Sequence, residues 1–328
     1  MRRRDFITLI CGAAATRPLA VRAQQAHRVP RVGVLMSQGE NDPEGRARLD
    51  VFVQALRQLG WTDGRNVRVD TRWAAGDTAQ VRRHVAELVS LTPDVILATG
   101  TPVLTPLLKA TRSVPIVFVV VIDPVGSGLV KSLAQPGGNA TGFVMFEYSL
   151  AAKWLELLKE ISPGVARVAV LRDPSISGGI GQFAAIQTVG SVGMELNAID
   201  LQDAEQIERD IASFAHGRND GLIVTASQYG ANHPEVIIAS AARHRLCAVY
   251  PLRYFVDAGG LISYGPNLLD QYRSGASYVD RILRGENPTF LPVQAPTKYE
   301  LVVNLKSAKK IGIALPPTLL ARADEVIE

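Results

Sequence analysis

The chain has 328 residues, of which 47% are apolar and 20% are charged. The length favours two domains of ordinary size, and the composition excludes a disordered chain. The net charge of +4 arises within residues 1–23, which contain five arginines and one aspartate; without them, 35 basic and 31 acidic residues become 30 of each. Because a nucleic-acid partner requires a basic surface, we expect none for the rest of the chain.

The first 23 residues have the pattern of an export signal rather than of a fold element. An arginine-rich start is followed by the apolar stretch Phe6–Ala15 and by small residues up to Ala23, after which we expect cleavage. Arg3–Ile7 resembles a twin-arginine signal; an ordinary secretory leader with additional arginines is the alternative. Both interpretations predict a periplasmic protein, and no later apolar run is long enough to insert the mature chain into a membrane.

Strand and helix patterns alternate along the rest of the chain. Strands are predicted at Arg31–Met36, Gly64–Trp73, Asp94–Ala98, Ile116–Ile122 and Thr141–Met145. A second cycle of strands is predicted at Arg167–Arg172, Glu195–Ile199, Gly221–Thr225, Cys247–Tyr250, Leu261–Tyr264 and Glu300–Asn304. Helical spacing between successive strands predicts right-handed crossovers in two parallel sheets.

The strand Ile116–Ile122 is apolar throughout, as expected of a strand that is buried on both faces. Asp123 and Pro124 end it, and helical spacing at Leu129–Leu133 predicts a helix that stops at Pro136–Gly138. Asp123 is therefore expected at the carboxyl edge of a parallel sheet, where ligands bind in open α/β folds.

Loops at the carboxyl ends of the strands supply the candidate ligand-binding residues, because such loops line the clefts of α/β proteins. The candidates are Ser37, Gln38, Thr101, Asp123, Phe146, Asp173, Ser227, Tyr229, Arg253 and Tyr264. Their hydroxyls, amides, few charges and aromatic rings suit a small polar molecule with an apolar part.

Six of these candidates also have a purely structural interpretation. Thr101 either caps a helix that begins at Pro102 or marks a helix N-terminus that receives a substrate carboxylate. Asp123 either binds a ligand ammonium group or caps the turn that follows it. Arg253 either pairs with an anionic ligand group or is a solvated or lobe-to-lobe charge. The aromatic candidates either stack on a ligand ring or pack in the core.

Patterns of catalytic, cofactor or metal chemistry are not found in the sequence. Gly179, Gly181 and Ala184 imitate a dinucleotide-binding GxGxxA, but six residues separate the preceding strand from Gly179, where that fingerprint needs a tight turn. The five histidines lie on different predicted elements, and Cys247 begins a buried strand. We therefore predict no cofactor, no metal site and no catalytic residues.

Four segments of the chain resemble one known family. They are DPVGSGLVKSLAQPGGNATG (Asp123–Gly142), GWTDGRNVRVDTRWAAGD (Gly60–Asp77), LVVNLKSAKKIGI (Leu301–Ile313) and LPPTLLARADEVIE (Leu315–Glu328). They are similar to substrate-binding proteins of ABC importers in the family whose better-known members bind tryptophan or tyrosine. The resemblance covers nearly the whole chain and implies an α/β protein of the type I periplasmic-binding-protein class, with two Rossmann-like lobes and a hinge of several crossing segments.

The resemblance also implies how the chain is divided. Lobe one is expected to comprise residues 29–146 and 262–297, and lobe two residues 147–261 and 298–328. The crossings are expected near Phe146, Leu261 and Lys298, where a few dihedral changes absorb a closure. We expect a monomer.

The function implied by the resemblance is that of an exported receptor that closes on a small organic ligand and delivers it to a membrane ABC permease. Amino acids and aromatic acids both remain open as ligands, because Tyr250–Phe255 departs from the pattern associated with the amino-acid binders. An exported α/β enzyme or ligand sensor is the alternative. A transcriptional regulator with the same lobes would need a helix-turn-helix before the first strand, where this chain has its leader.

Overall fold

Two β-sheets organise the computed structural model, which describes residues 28–190, 193–201, 203–216 and 219–328. The predicted export signal lies outside the described residues. The first sheet contains β1 (Arg31–Met36), β2 (Arg68–Trp73), β3 (Val95–Thr99), β4 (Ile116–Val121) and β5 (Ala140–Val144). Their order is β2-β1-β3-β4-β5, with parallel pairing throughout, as the alternation of strands and helices predicts.

The second sheet contains β6 (Arg167–Arg172), β7 (Glu195–Asp200), β8 (Asp220–Val224), β9 (Cys247–Tyr250), β10 (Ile262–Pro266), β11 (Tyr299–Asn304) and β12 (Glu325–Ile327). Their order is β12-β11-β10-β9-β8-β6-β7. The pairing is parallel except between β10 and β11, which is antiparallel. This arrangement confirms the prediction of a two-lobed α/β fold.

Helices connect the strands and cover both sheets. The helices that pack on the first sheet are α1 (Pro43–Gln58), α2 (Thr78–Ser90), α3 (Thr101–Ala110) and α10 (Leu268–Leu283). The others are α4 (Leu150–Ile161), α5 (Ser177–Gly190), α6 (Ala204–Phe214), α7 (Gln228–Asn232), α8 (Pro234–Arg243), α9 (Arg253–Asp257), α11 (Leu305–Ile311) and α12 (Pro317–Leu320). We call the first sheet with its four helices lobe one, and the second sheet with its helices lobe two. Within the described ranges, no helix combines the length and apolarity that a membrane span needs.

The strands β1, β3, β4 and β5 of lobe one are mainly apolar because both faces of the sheet are buried there, whereas the edge strand β2 is partly exposed and carries Arg68, Asp70 and Arg72. Val34 of β1 packs with Phe52 of α1 and Val279 of α10 on one face. The next residue, Leu35, packs with Leu88 of α2 on the other face, since successive side chains of a strand point to opposite sides. Lobe two has a core of its own, which includes Trp154.

Three segments of chain cross between the lobes. The first, residues 145–149, contains Phe146 and joins β5 of lobe one to α4 of lobe two. The second lies at Asn267, between β10 and α10, and the third precedes β11, where Asn267 N donates to Lys298 O at 3.0 Å. The segment 262–297, expected in lobe one, begins with a strand of lobe two, because Ile262 and Ser263 pair with β9.

The helix predicted at Leu129–Leu133 is not formed, and residues 124–134 are turns and bends. The N–H groups of Leu129 and Val130 both donate to Pro124 O, and that of Lys131 donates to Pro136 O. These hydrogen bonds close loops and not helical turns, so no helix forms. The apolar residues of this segment pack against the core of lobe one, where Val130 is buried.

Candidate ligand-binding cleft

A cleft of about 450 Å³ lies between the lobes, lined by residues of both. Most of them follow the carboxyl ends of parallel strands, which is where open α/β sheets bind ligands. A cleft of this size holds a small organic molecule. Five of the ten predicted residues line it: Ser37, Gln38, Thr101, Asp173 and Ser227.

The ends of β1 and β3 build the first part of the lobe-one wall. The Oγ1 atom of Thr99 accepts a hydrogen bond from Ser37 N at 2.8 Å and donates to Ser37 Oγ at 3.4 Å. The Ser37 hydroxyl in turn donates to Gln38 Oε1 at 3.2 Å. Because Thr99 is buried, these bonds fix Ser37 and Gln38 at the rim of the cleft.

The N-terminus of α3 forms the next part of this wall. The structure corrects the predicted cap: α3 begins at Thr101, and Gly100 is its N-cap with φ at +83°, a conformation that favours glycine. Thr101 Oγ1 instead accepts from Ile122 N at 3.4 Å and so ties the helix to the end of β4. The first turn carries no acidic side chain, so the positive end of the helix dipole lies uncompensated at the cleft.

Helix α1 places an arginine on the same wall. Asp42 caps this helix by accepting from two amides of its first turn. Gly45 lies so close to Gln38 and Trp73 that a Cβ there would come within 2.9 Å and 3.0 Å of their side chains. This close approach sets Arg48, about one turn further along α1, at the cleft, with 6% of its surface exposed.

The loop after β6 forms the facing wall in lobe two. Asp173 Oδ1 accepts from Ser175 N at 2.9 Å and from Ser175 Oγ at 2.5 Å, which holds the loop in a tight turn before Ser177 begins α5. A Cβ at Gly179 would lie 2.0 Å from Asp173 O. The glycines that imitate a dinucleotide fingerprint therefore serve close packing of α5 against this turn.

The ends of β8 and β9 complete the lobe-two wall. Ser227 Oγ accepts from Gly230 N at 2.9 Å and caps α7. Leu252 and Tyr254 supply an apolar surface, and the Tyr254 ring stacks on Phe255 with centroids 4.7 Å apart. Burial raises the pKa of the Tyr254 hydroxyl, so it stays neutral at ordinary pH. This wall therefore combines hydroxyl groups with an aromatic ring.

Asp123 does not line the cleft, because its carboxylate is engaged in the turn after β4. Oδ1 accepts from Gly126 N at 2.8 Å, and Oδ2 accepts from the Tyr148 hydroxyl at 2.8 Å. Its φ of +41° is one of the conformations that Asp tolerates in turns. The structure thus shows the turn-capping arrangement for Asp123.

Arg253 also lies outside the cleft lining. It is held by three carboxylates of lobe two, at 3.3 Å from Asp257, 3.0 Å from Glu325 and 3.7 Å from Glu300. These pairs come from α9, β12 and β11, so they join elements within one lobe.

The three aromatic candidates pack within lobe two and do not line the cleft. Phe146 is buried in its core. Tyr229 lies on His233 with ring centroids 4.6 Å apart, and Tyr264 stacks on Tyr299 at 5.8 Å. These three rings therefore pack against other residues of the protein and not on the cleft surface.

Sequence reasoning missed Arg48, Ser175, Ser177 and Tyr254, which line the cleft. One signal was available for Arg48: it precedes Phe52 by four residues and so interrupts the apolar face of α1 with a charge. The segment DPSIS after β6 offers small polar groups at a strand end, as binding loops often do. In the described part of the chain, no group of three or more His, Cys, Asp or Glu side chains is arranged to hold a metal ion.

Two α/β lobes that enclose a cleft and are joined by three crossings define the two-lobed class of periplasmic binding proteins. The chain belongs to the family described as ABC transporter substrate binding protein, whose model matches residues 41–327. This membership confirms the family resemblance and the prediction of a binding protein without catalytic activity.

Relatives support the same conclusion. A tyrosine-binding protein of Clostridioides difficile is 26% identical over 264 residues, covering 80% of this chain and 75% of the relative. The solved structure of a conserved domain protein from Vibrio cholerae has a TM-score of 0.82 at 28% identity, covering 91% of this chain and all of the other. An ABC domain from Streptococcus pneumoniae in complex with L-Trp has a TM-score of 0.79 at 23% identity, covering 92% and 100%.

Proposed function

We propose that this protein is an exported receptor that binds a small organic ligand between its lobes and delivers it to a membrane ABC permease. The observation that carries this proposal is the cleft of about 450 Å³, lined by strand ends of both lobes. A ligand that contacts both walls binds the closed state more tightly than the open one and so drives closure. The three crossings supply the few dihedrals that such a closure needs.

The ligand class that fits best is an amino acid or an aromatic acid. The cleft offers hydroxyls at Ser37 and Ser227 and an apolar surface around Leu252 and Tyr254. A ligand with a polar head and an apolar body matches that lining. The relative from Clostridioides difficile binds tyrosine, and the Streptococcus pneumoniae protein holds L-Trp, in keeping with this class.

A thermal-shift screen of the purified protein tests the binding role. L-amino acids, aromatic acids, sugars and nucleosides are added one at a time, and binders are then titrated by calorimetry. We expect stabilisation by one or a few amino acids or aromatic acids, with the ligand recovered unchanged by mass spectrometry. Consumption of the ligand would establish the alternative, an enzyme. Stabilisation by sugars alone would contradict the proposed ligand class.

Export and delivery need separate experiments. A fusion of residues 1–30 to a reporter is expected in the periplasm, and replacement of Arg3 and Arg4 by lysine is expected to stop its export if the signal is of the twin-arginine type. Delivery predicts that cells lacking this chain lose uptake of the labelled ligand and regain it when the chain is restored. Unchanged uptake in the deletion strain would contradict the transport role.

A further inference from the structure

Arg48 is the one cation among the described residues that line the cleft. It lies on α1, and its side chain is 8% exposed. A buried guanidinium is expensive to desolvate unless its donors are bonded, so arginines in such positions have partners. The hydrogen-bond partners of Arg48 therefore indicate which class of ligand the cleft binds.

Within the described part of the chain, Arg48 is only partly satisfied. Its Nη2 lies 3.2 Å from Glu44 Oε2, one turn earlier on the same helix. The Glu44 side chain is half exposed, and such i,i+4 pairs contribute little. The Nε atom is buried, and no described residue accepts its hydrogen bond. The buried Tyr272 hydroxyl also interacts with the guanidinium. The Nε–H group therefore remains available to bind a further acceptor.

The surroundings of Arg48 favour an anion. Ser37 and Gln38 lie on the same wall, as does the first turn of α3 with its uncompensated positive end. The acid in the lining is Asp173, which belongs to the facing wall and whose Oδ1 already accepts two bonds from Ser175. The lobe-one wall is therefore the electropositive side of the cleft.

The charge balance favours a single negative charge with an apolar body. Arg48 is already paired with the half-exposed Glu44, so a single ligand carboxylate is the most negative charge that it can balance, whereas a phosphate dianion would leave excess negative charge in a cleft that also contains Asp173. Leu252, Tyr254 and Leu268 line the cleft together with Arg48. The same three residues line a second hollow, which Arg48 borders together with Glu44, Arg253, Asp257 and Glu300. An apolar group placed beside the guanidinium would therefore meet these three side chains.

We propose that Arg48 is the anion-binding residue of the cleft and binds the carboxylate of a ligand whose apolar body packs on Leu252 and Tyr254. This inference rests on the proposed binding function and specifies its ligand as a monocarboxylate. It replaces Arg253, which its three carboxylate partners hold outside the cleft lining.

The first experiment changes the ligand and leaves the protein intact. The full chain is titrated by calorimetry with phenylacetate, 4-hydroxyphenylacetate, L-tyrosine and L-tryptophan, and with the amide of each. We expect at least one acid to bind. Its amide should bind at least about 30-fold more weakly, which is the scale of losing a buried charge-assisted hydrogen bond. Inorganic phosphate is expected to compete poorly.

The second experiment changes the arginine. Arg48→Gln is compared with Arg46→Gln, a control two positions away on the same helix, where Arg46 is exposed and donates to Glu40 O and Asn41 Oδ1. R48Q is expected to bind acid and amide with equal, weak affinity, while R46Q keeps the preference. Circular dichroism and thermal unfolding establish that both variants fold, and the comparison of acid with amide in the unaltered protein does not depend on them.

The outcomes separate the two proposals. Equal affinity for an acid and its amide in the unaltered protein would overturn the role of Arg48 and leave the binding function standing. Tight binding of inorganic phosphate, or an acid preference that survives in R48Q, would also overturn it. If none of the sugars, nucleosides, acids and amides binds to the protein, the proposed binding function is overturned as well.

Discussion

The hydroxyl of Tyr148 donates a 2.8 Å hydrogen bond to Asp123 Oδ2 across the first crossing between the lobes. Asp123 belongs to the turn after β4, and Tyr148 precedes α4. A Cβ at Gly181 would lie 2.7 Å from the Tyr148 ring, so α5 packs directly on it. Burial, with Asp123 beside it, raises the pKa of Tyr148 to about 12. The tyrosine thus joins a turn of lobe one, a crossing segment and a helix of lobe two.

Replacing Tyr148 by phenylalanine is expected to loosen this junction. The variant keeps the ring but loses one partly buried hydrogen bond to a carboxylate, so the free energy of unfolding should fall by about 1 to 2 kcal/mol. Hydrogen exchange of residues 122–127 should accelerate, because Asp123 loses one of its two donors. Tyr229→Phe, in lobe two, serves as the control. If residues 122–127 exchanged at the same rate in both variants, Tyr148 would not be holding the turn that contains Asp123.

Gln271 of α10 holds the part of the lobe-one cleft wall that contains Val120. This residue of α10 is 4% exposed, accepts from Val120 N at 3.0 Å and donates to Met145 O at 3.1 Å. Val120 has a φ of +58°, an unfavourable conformation for a β-branched residue, and it lines the cleft. Gln271 therefore holds a strained strand end and the first crossing in one geometry.

We expect Gln271→Leu to destabilise the protein by about 2 to 4 kcal/mol, because it leaves two backbone groups without their partner in the interior. Urea unfolding measures this change. Arg273→Ala, on the exposed side of the same helix, removes an ion pair with Asp270 and should cost less than about 1 kcal/mol. If Q271L lowered the free energy of unfolding no more than R273A does, Gln271 would not hold the cleft wall in place.

Local patterns predicted the architecture well. The bounds of β1, β6 and β9 agree with the sequence-based expectation, because runs of apolar residues are properties of short segments. The candidate site depended on tertiary partners that no local pattern records. Asp123 was expected at a strand end and lies there, but Tyr148, 25 residues later, binds its carboxylate. The helix predicted after it failed because its amides bond to Pro124 and Pro136.

Cys247 provides a probe of lobe two. It is 3% exposed, and burial raises the pKa of its thiol to about 12. Because the thiolate is the reactive form, alkylation of the native protein should be very slow at neutral pH. In a Cys11→Ser chain, where Cys247 is the remaining thiol, reaction with iodoacetamide should require opening of lobe two and accelerate in urea. Rapid reaction without denaturant would contradict the buried position.

Glu300 should make stability depend on pH. Its side chain is 13% exposed and accepts from Asn267 Nδ2 at 3.2 Å. Burial raises the pKa of this carboxyl above its ordinary 4.5, although Arg253 opposes the rise. A carboxyl with a raised pKa in the folded state contributes its full stability below the unfolded pKa and loses it as pH rises through the folded value. The contribution of Glu300 therefore declines from acidic to neutral pH.

Glu300→Gln removes the ionisation and keeps a group that accepts from Asn267. We expect this variant to be more stable than the unaltered protein near neutral pH, and the difference to vanish as the pH falls to about 4 and Glu300 becomes protonated. Urea unfolding across this pH range measures the difference. The control is Glu325→Gln, which removes a half-exposed partner of the same Arg253 and should show no such gain. An E300Q variant that is less stable at neutral pH would show that attraction to Arg253 outweighs burial.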